Sequence, residues 1–242
     1  MQYDSLSDIY DEFNDGADYD KYLQKVYSRF DIPRAGLALD CGCGTGALME
    51  KLFEAGYDCT GVDCSEQMLQ QAQARLSRAG KAPHLIQQDL TRLDLYGAYD
   101  IVFCTLDTIN HILDKRELKR FFLRLYNFIE YNGCFIFDAK TEEAFLRAKE
   151  HVVSERGNDL LAMRGDFNGK YAIYELNAFI ENDDEKYTRV QQTVEERYYA
   201  PEELKKLIES SGLTYLGRIK FRDRHIYAAR KQRLTYNSRG GK

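Results

Sequence analysis

Leu37-Ala-Leu-Asp-Cys-Gly-Cys-Gly-Thr-Gly46 is the stretch on which the reading of this chain turns. Leu37 to Leu39 form a short apolar run that reads as a buried strand, and it ends at Asp40. Glycines follow at 42, 44 and 46, and then Leu48, Met49, Leu52 and Phe53 recur at helical spacing. Strand, glycine turn and helix together bring backbone N–H groups close to a ligand without side-chain interference. The turn opens a helix N-terminus, which attracts electron-rich groups. Gly42, Gly44 and Ala47 also satisfy the dinucleotide fingerprint G-x-G-x-x-G/A. A plain tight turn would show the same glycines. Asp40 separates the readings, because a carboxylate at the mouth of the turn repels a pyrophosphate and suits a ligand carrying an ammonium and a sulfonium.

Asp63 ends a second strand-like run from Asp58, and Asp89 closes a third from His84. A carboxylate at the second position can accept both hydroxyls of a ribose. Acids at the ends of successive strands converge on one crevice, because ligands sit beyond the carboxyl ends of the strands in an open α/β sheet.

The glycine stretch, followed by Gly61-Val-Asp-Cys-Ser-Glu-Gln-Met-Leu69, resembles the class I S-adenosylmethionine (SAM)-dependent methyltransferases over most of the chain. The resemblance implies SAM as methyl donor, S-adenosylhomocysteine (SAH) as product and no metal. It implies that Asp40, Gly42, Gly44 and Gly46 hold the methionine part and Asp63 the ribose. Met68 packs near the adenine, and Asp89 with Leu90 meets its edge. Cys64, Gln88 and Cys104 complete that cofactor set, with Tyr10 and Tyr19 contributed by the N-terminal segment.

The chain has 242 residues, 44% of them hydrophobic, and a formal net charge of -5. That length suits one large domain or one domain with an insert. No apolar run approaches the ~20 residues that cross a membrane, and the N-terminus shows no basic-then-apolar leader. The negative balance argues against broad nucleic-acid binding. The six cysteines, at 41, 43, 59, 64, 104 and 134, lack metal-site spacing and suit a reducing compartment, so a cytoplasmic location is expected.

Along the chain, Leu6, Ile9, Tyr10 and Phe13 share helical spacing, as do Tyr19, Tyr22, Leu23, Val26, Tyr27 and Phe30. The segment 1–32 reads either as aromatics docked on a sheet edge or as a lid over the cofactor. Ser65 caps a helix over 65–79, stopped by Gly80. Tyr99–Cys104, apolar from Ile101 onward, reads as a fourth strand buried on both faces. A helix over Lys115–Tyr131 ends at Asn132-Gly133, and Cys134–Asp138 is the fifth strand. From about 151 to 199 the pattern changes to three alternating strands, 160–164, 171–180 and 187–199, with turns at Asn168-Gly169 and 182–184. Pro201 begins another helix, and 213–221 with 224–230 form a closing hairpin. The fold class predicted is α/β: a Rossmann-like, doubly wound, mostly parallel seven-stranded sheet with an antiparallel β insert covering the active site. The SAM-binding domain takes 1–150 and 200–233, the insert 151–199 and a mobile tail 234–242.

The candidate chemistry lies after the fourth strand, in Thr105-Leu-Asp-Thr-Ile-Asn-His-Ile112. Asp107 or Thr108 would cap the next helix or touch the substrate. A group of bacterial small-molecule methyltransferases carries Asp-Ser-x-Asn-Tyr here. The chain resembles them at Asp107, Thr108 and Asn110 and departs at His111, where Tyr is usual. Asp107, Asn110 and His111 are the expected catalytic residues, His111 being of the type that titrates near neutral pH. Asp138 binds a substrate amine or caps a turn. Tyr174, Arg189 and Arg197 could roof a substrate pocket from the insert. The basic run Arg218, Lys220, Arg222, Arg224, Arg230, Lys231 and Arg233 reads as a solvated face or as a phosphate-binding edge.

The expected activity is transfer of the sulfonium methyl by in-line displacement to a small-molecule amine, hydroxyl or carboxylate, by a monomer or homodimer. The rivals are a tRNA or rRNA methyltransferase, a NAD-binding oxidoreductase and a non-catalytic SAM-binding protein.

Overall fold

The structure, a computed structural model, describes residues 18–182 and 186–233. Tyr10, the expected helix over residues 6–13, the tip of the 182–184 turn and the tail 234–242 lie outside the described residues. Among the described residues there are two sheets. The larger contains β1 (Gly36–Cys41), β2 (Tyr57–Asp63), β3 (His84–Gln87), β4 (Tyr99–Cys104), β5 (Ile129–Lys140), β10 (Thr214–Phe221) and β11 (Arg224–Arg230). Its order is β10-β11-β5-β4-β1-β2-β3. β1 to β5 are mutually parallel, and β11 runs antiparallel to both β5 and β10. The strand order reverses between β1 and β4, which places a topological switch point, and so a crevice, outside their carboxyl ends.

The apolar runs of the central strands follow from burial on both faces. Along β5, Phe135 and Phe137 enter the core that packs under α4 (Lys115–Leu125) and α6 (Pro201–Ser210). Cys134 and Ile136 face the other way, into the core shared with α1 (Tyr19–Arg29) and α2 (Ala47–Glu54). Helix α3 (Glu66–Arg78) starts at Ser65, whose hydroxyl accepts the Met68 N–H at 3.2 Å. Asp18 caps α1 in the same way, accepting from Lys21 at 3.1 Å. Tyr22, Leu23 and Val26 bury the inner face of α1.

After α5 (Glu142–Leu146) the chain builds a second, antiparallel sheet in the order β6-β7-β8-β9, from β6 (Val152–Arg156), β7 (Asp159–Phe167), β8 (Tyr171–Glu181) and β9 (Tyr187–Arg197). Its inner face carries Phe167, Ala172, Tyr174, Leu176 and Val194 against Phe145 of α5.

Two expectations about elements are corrected. The second sheet has four strands, because Val152–Arg156 pairs with β7 as an edge strand. Its residues are mostly exposed, so it has no clean apolar alternation to announce it. The helix over Lys115–Tyr131 ends at Leu125, and β5 begins at Ile129. Asn132-Gly133 lies within β5 and not at a helix stop. Asn132 adopts φ 68°, and a Cβ on Gly133 would come 2.8 Å from the Glu130 carbonyl, so both residues serve a kink in the strand. Among the described residues, no helix is long and apolar enough to cross a membrane.

Candidate active site

The turn after β1 is fastened to the end of β2. Gly42 and Cys43 donate N–H bonds to the Val62 carbonyl at 2.7 and 3.1 Å. Gly44 donates to Asp63 Oδ2, and Ser65 to Asp63 Oδ1, both at 2.9 Å. Gly42 has φ 76°, and a Cβ there would lie 2.6 Å from the Thr108 side chain, so the glycine loop touches the loop after β4. Gly44 has φ 50° and nothing within 4 Å of where a Cβ would stand. Its open side faces space that a ligand can enter.

Asp40 is 1% exposed, and neither carboxylate oxygen has a hydrogen-bond partner among the described residues. Burial, with the Asp63 charge adding to it, pushes the Asp40 carboxyl up to about 8. An unpaired buried carboxylate is costly, and the cost is relieved by a ligand cation. An ammonium next to a sulfonium fits that demand, so the donor set suits SAM.

The other expected cofactor residues fall in two groups. Gly46, which leads into α2, Met68 in α3 and Leu90 beyond β3 border the same end of the sheet, and Tyr19 brings its hydroxyl 3.5 Å from Thr105 Oγ1 at the end of β4. Cys64 is exposed, and its carbonyl accepts from Gln87. Gln88 brackets the backbone of Asp94, accepting its N–H at 2.8 Å and donating to its carbonyl at 3.2 Å. Asp89 Oδ1 caps the turn Leu90–Arg92, accepting from the Thr91 N–H and hydroxyl, both at 2.8 Å. Cys104 is a correction. Its side chain is wholly buried in the core beside Leu39 and Cys41, and burial raises its thiol far above the usual range.

Across the crevice, Leu106 and Asp107 both take left-handed backbone, φ 51° and 69°. Such conformations persist in non-glycine residues only where the surroundings impose them. Here the imposing group is Asp138, fully buried at the end of β5, whose carboxylate accepts the Leu106 N–H at 3.1 Å and the Asp107 N–H at 3.2 Å. Arg224 of β11 reaches both acids, 3.1 Å to Asp107 Oδ1 and 3.4 Å to Asp138 Oδ1. Burial pushes Asp138 up against the pull of Arg224. Burial would also raise Asp107, but Arg224, Lys140 and His111 outweigh it and hold Asp107 below the usual carboxylate range. The expected substrate contact at Asp138 is therefore corrected to a brace beneath the loop.

Lys140, the last residue of β5, joins this group. Its Nζ lies 2.8 Å from both oxygens of Glu196 on β9, 3.3 Å from Asp107 Oδ2 and 5.2 Å from the Tyr174 ring centroid. Tyr174 is thus packed beside Lys140 and the loop after β4. His111 Nε2 is 4.0 Å from Glu196 Oε1, and Nδ1 is 3.4 Å from the Glu195 carbonyl.

Three further site expectations are corrected. Asn110 is fully buried, donates to the Arg197 carbonyl at 2.8 Å and accepts the Lys140 N–H at 3.0 Å. Its amide ties the loop to β5 and β9. Arg197 is a pin: its guanidinium bonds the Leu113 carbonyl at 3.1 Å and Glu203 at 3.3 Å and lies over Tyr199. Arg189 is on the exposed side of β9, bonded to Asn177. The basic run is largely paired internally as well. Arg218 meets Glu202, Lys220 meets Glu143, Arg222 meets Asp18, and Lys231 caps the carbonyls of Tyr126 and Ile129.

Sequence reasoning missed Lys140, Glu196 and Arg224 as members of the site. Period-two alternation carried the signal, since Glu196 shares a face with Val194, and Arg224 with Ile226 and Ala228. A charged residue on an apolar face must find partners.

Residues 38–133, from β1 into β5, match the family described as a methyltransferase domain. A protein of Geobacillus sp. (strain WCH70), named provisionally as a methyltransferase, is 27% identical over 223 residues, covering 89% of this chain and 90% of that protein. The crystal structure of an S-adenosylmethionine-dependent methyltransferase from Clostridium acetobutylicum ATCC 824 superposes with a TM-score of 0.82 at 25% identity, over 96% of this chain and 99% of that one. The sugar N-methyltransferase KedS8 from Streptoalloteichus sp. ATCC 53650 shares the fold with a TM-score of 0.77 at 22% identity, over 93% of both chains. The crevice, the glycine turn and these likenesses define a Rossmann-like methyltransferase. Residues 38–133 form a methyltransferase domain, and over nearly its whole length the chain is an enzyme similar to the SAM-dependent methyltransferases.

Proposed function

We propose that this enzyme transfers the methyl group of SAM to a small-molecule amine, hydroxyl or carboxylate, held between the loop after β4 and the inner face of the second sheet. The observation that carries the reading is Asp40, buried with both oxygens unpartnered beside the open side of Gly44. SAM supplies an already activated methyl on sulfur. The work left to the chain is alignment and exclusion of water. In this proposal Asp40 neutralises the ammonium end and the Gly42–Gly46 backbone lines the methionine part. Asp63 shares its carboxylate between the loop N–H groups and the ribose hydroxyls. Met68, Gln88, Asp89 and Leu90 border the adenine. His111, beside Glu196, takes a proton from acceptors that must lose one.

The same proposal assigns 151–199 as the acceptor-covering insert on a domain made of 1–150 and 200–233, in a cytoplasmic monomer or homodimer. The internal pairing of the basic run favours a small acceptor over RNA. Calorimetry with SAH, with NAD as control, tests the reading, and Gly44→Val is the decisive variant. Left-handed backbone costs a non-glycine residue ~1–2 kcal/mol, so the variant should fold with near-native far-UV circular dichroism and fail to bind SAH. NAD binding in place of SAH, or SAH binding unaffected by the valine, would refute it.

A further inference from the structure

The Lys140 ammonium sits in a cage contributed by three elements. Glu196 on β9 places both carboxylate oxygens 2.8 Å from Nζ, Asp107 in the loop after β4 places Oδ2 at 3.3 Å, and the ring of Tyr174 on β8 has its centroid 5.2 Å away. The Glu196 side chain is 2% exposed and that of Asp107 14%. Two carboxylates over an aromatic face are the chemistry that recognises an organic ammonium. The same walls would repel an acceptor carboxylate. The cage adjoins the cofactor side, because Thr108, next to Asp107, packs against Gly42.

The two cations of the cluster are held differently. Arg224 is gripped by Asp107, Asp138 and Asp223, with 9% of its side chain exposed. Lys140 is 18% exposed on a flexible four-carbon stem. It is the cation that can leave without unfolding the floor of the site. We propose that Asp107, Glu196 and Tyr174 form the site for an ammonium group of the acceptor, and that Lys140 fills this site until the acceptor arrives. The inference rests on the methyltransferase reading and narrows its acceptor to an amine.

The test uses the full chain saturated with SAH, with propylammonium as probe and 1-propanol as its neutral counterpart. Calorimetry should show propylammonium binding Lys140→Ala at least tenfold more tightly than the wild type, with 1-propanol binding neither. Adding Glu196→Gln to Lys140→Ala should abolish that binding. Equal affinity in wild type and Lys140→Ala, absence of binding to Lys140→Ala, or binding that survives Glu196→Gln would each overturn the proposal. If Lys140→Ala does not fold, Lys140→Gln, neutral and of similar reach, carries the same comparison. SAH is titrated in the same samples. A wild type that does not bind SAH defeats the methyltransferase reading, whereas SAH bound without amine binding defeats the cage alone.

Discussion

Asp40, near the end of β1, and Asp107, just after the neighbouring strand β4, border one crevice, yet their surroundings are opposite. Asp40 has no hydrogen-bond partner for either oxygen among the described residues, and its carboxyl is pushed up to about 8. Asp107 is ringed by Arg224 and Lys140 and is held low. The protein has left one side of the cleft short of a cation and has supplied its own cations to the other. A buried carboxylate without a counterion weakens the fold, so its retention marks where an outside cation is expected. A carboxylate with an internal counterion can be served by an outside cation only through exchange. On the proposed reading, the cofactor side works by addition and the acceptor side by displacement.

The largest effect that would break this contrast belongs to His111. If it accepts the acceptor's proton, His111→Phe should lower kcat for methyl transfer by ~10²–10⁴-fold while SAH affinity stays near wild type. Turnover per folded molecule that equals the wild type would remove His111 from the chemistry and leave the acceptor side as positioning groups alone.

Arg224→Met comes next. It strands Asp107 and Asp138 in the interior, and breaking a buried ion pair by removing one partner costs about 3–5 kcal/mol. The denaturation midpoint should fall accordingly. A loss well below 1 kcal/mol would mean that the acids are not held by Arg224, and the contrast with Asp40 would lose its basis.

Asp63→Ala probes the cofactor side. Each charge-assisted hydrogen bond lost to the ribose should weaken SAH binding by about 1.5–3 kcal/mol. Asp63 also holds the Gly44 and Ser65 N–H groups at 2.9 Å, so part of the loss will come from a loosened loop. Asp63→Asn, which retains an acceptor for one of those bonds, should recover part of the affinity. Unchanged affinity in a folded Asp63→Ala protein would remove Asp63 from the cofactor's contacts.

The same contrast explains what the sequence made legible. Asp40, the glycines and Asp63 lie within one strand–turn–helix–strand unit, so spacing along the chain already implies their proximity. The mostly parallel sheet was legible for a related reason, because apolar runs such as Ile101–Cys104 require helices on both faces. The acceptor side is assembled from residues distant along the chain: Lys140 with Glu196, Asp107 with Arg224, Asn110 with Arg197. Only the alternation of β11, which puts Arg224 on the face of Ile226 and Ala228, distinguishes it from the more exposed basic residues around it. Asn110 is ambiguous by type, since an amide suits a substrate contact as well as the backbone bracket it makes. Val152–Arg156 escaped notice because an exposed edge strand buries too little to impose a pattern.

The smallest effect, and the sharpest test of the open side, is a proton count. Asp40 is raised from 3.8 to about 8 by burial and by Asp63. Between those values the native protein holds a proton that the unfolded chain has lost, so stability falls as pH rises through this window and levels off above about 8. A bound ligand ammonium favours the carboxylate and should expel that proton. Binding of SAH near pH 6 should therefore release close to one proton, falling toward zero above pH 9. Calorimetry in buffers of different ionisation enthalpy measures this release directly. Asp40→Asn has no proton to give, so its binding enthalpies should be the same in every buffer. Its stability should also gain on the wild type as pH rises from 4 to 8, because only the wild type then carries a growing penalty. Buffer-independent enthalpies in the wild type at pH 6 would show that Asp40 is already ionised before the ligand arrives, and the difference between the two sides of the cleft would disappear.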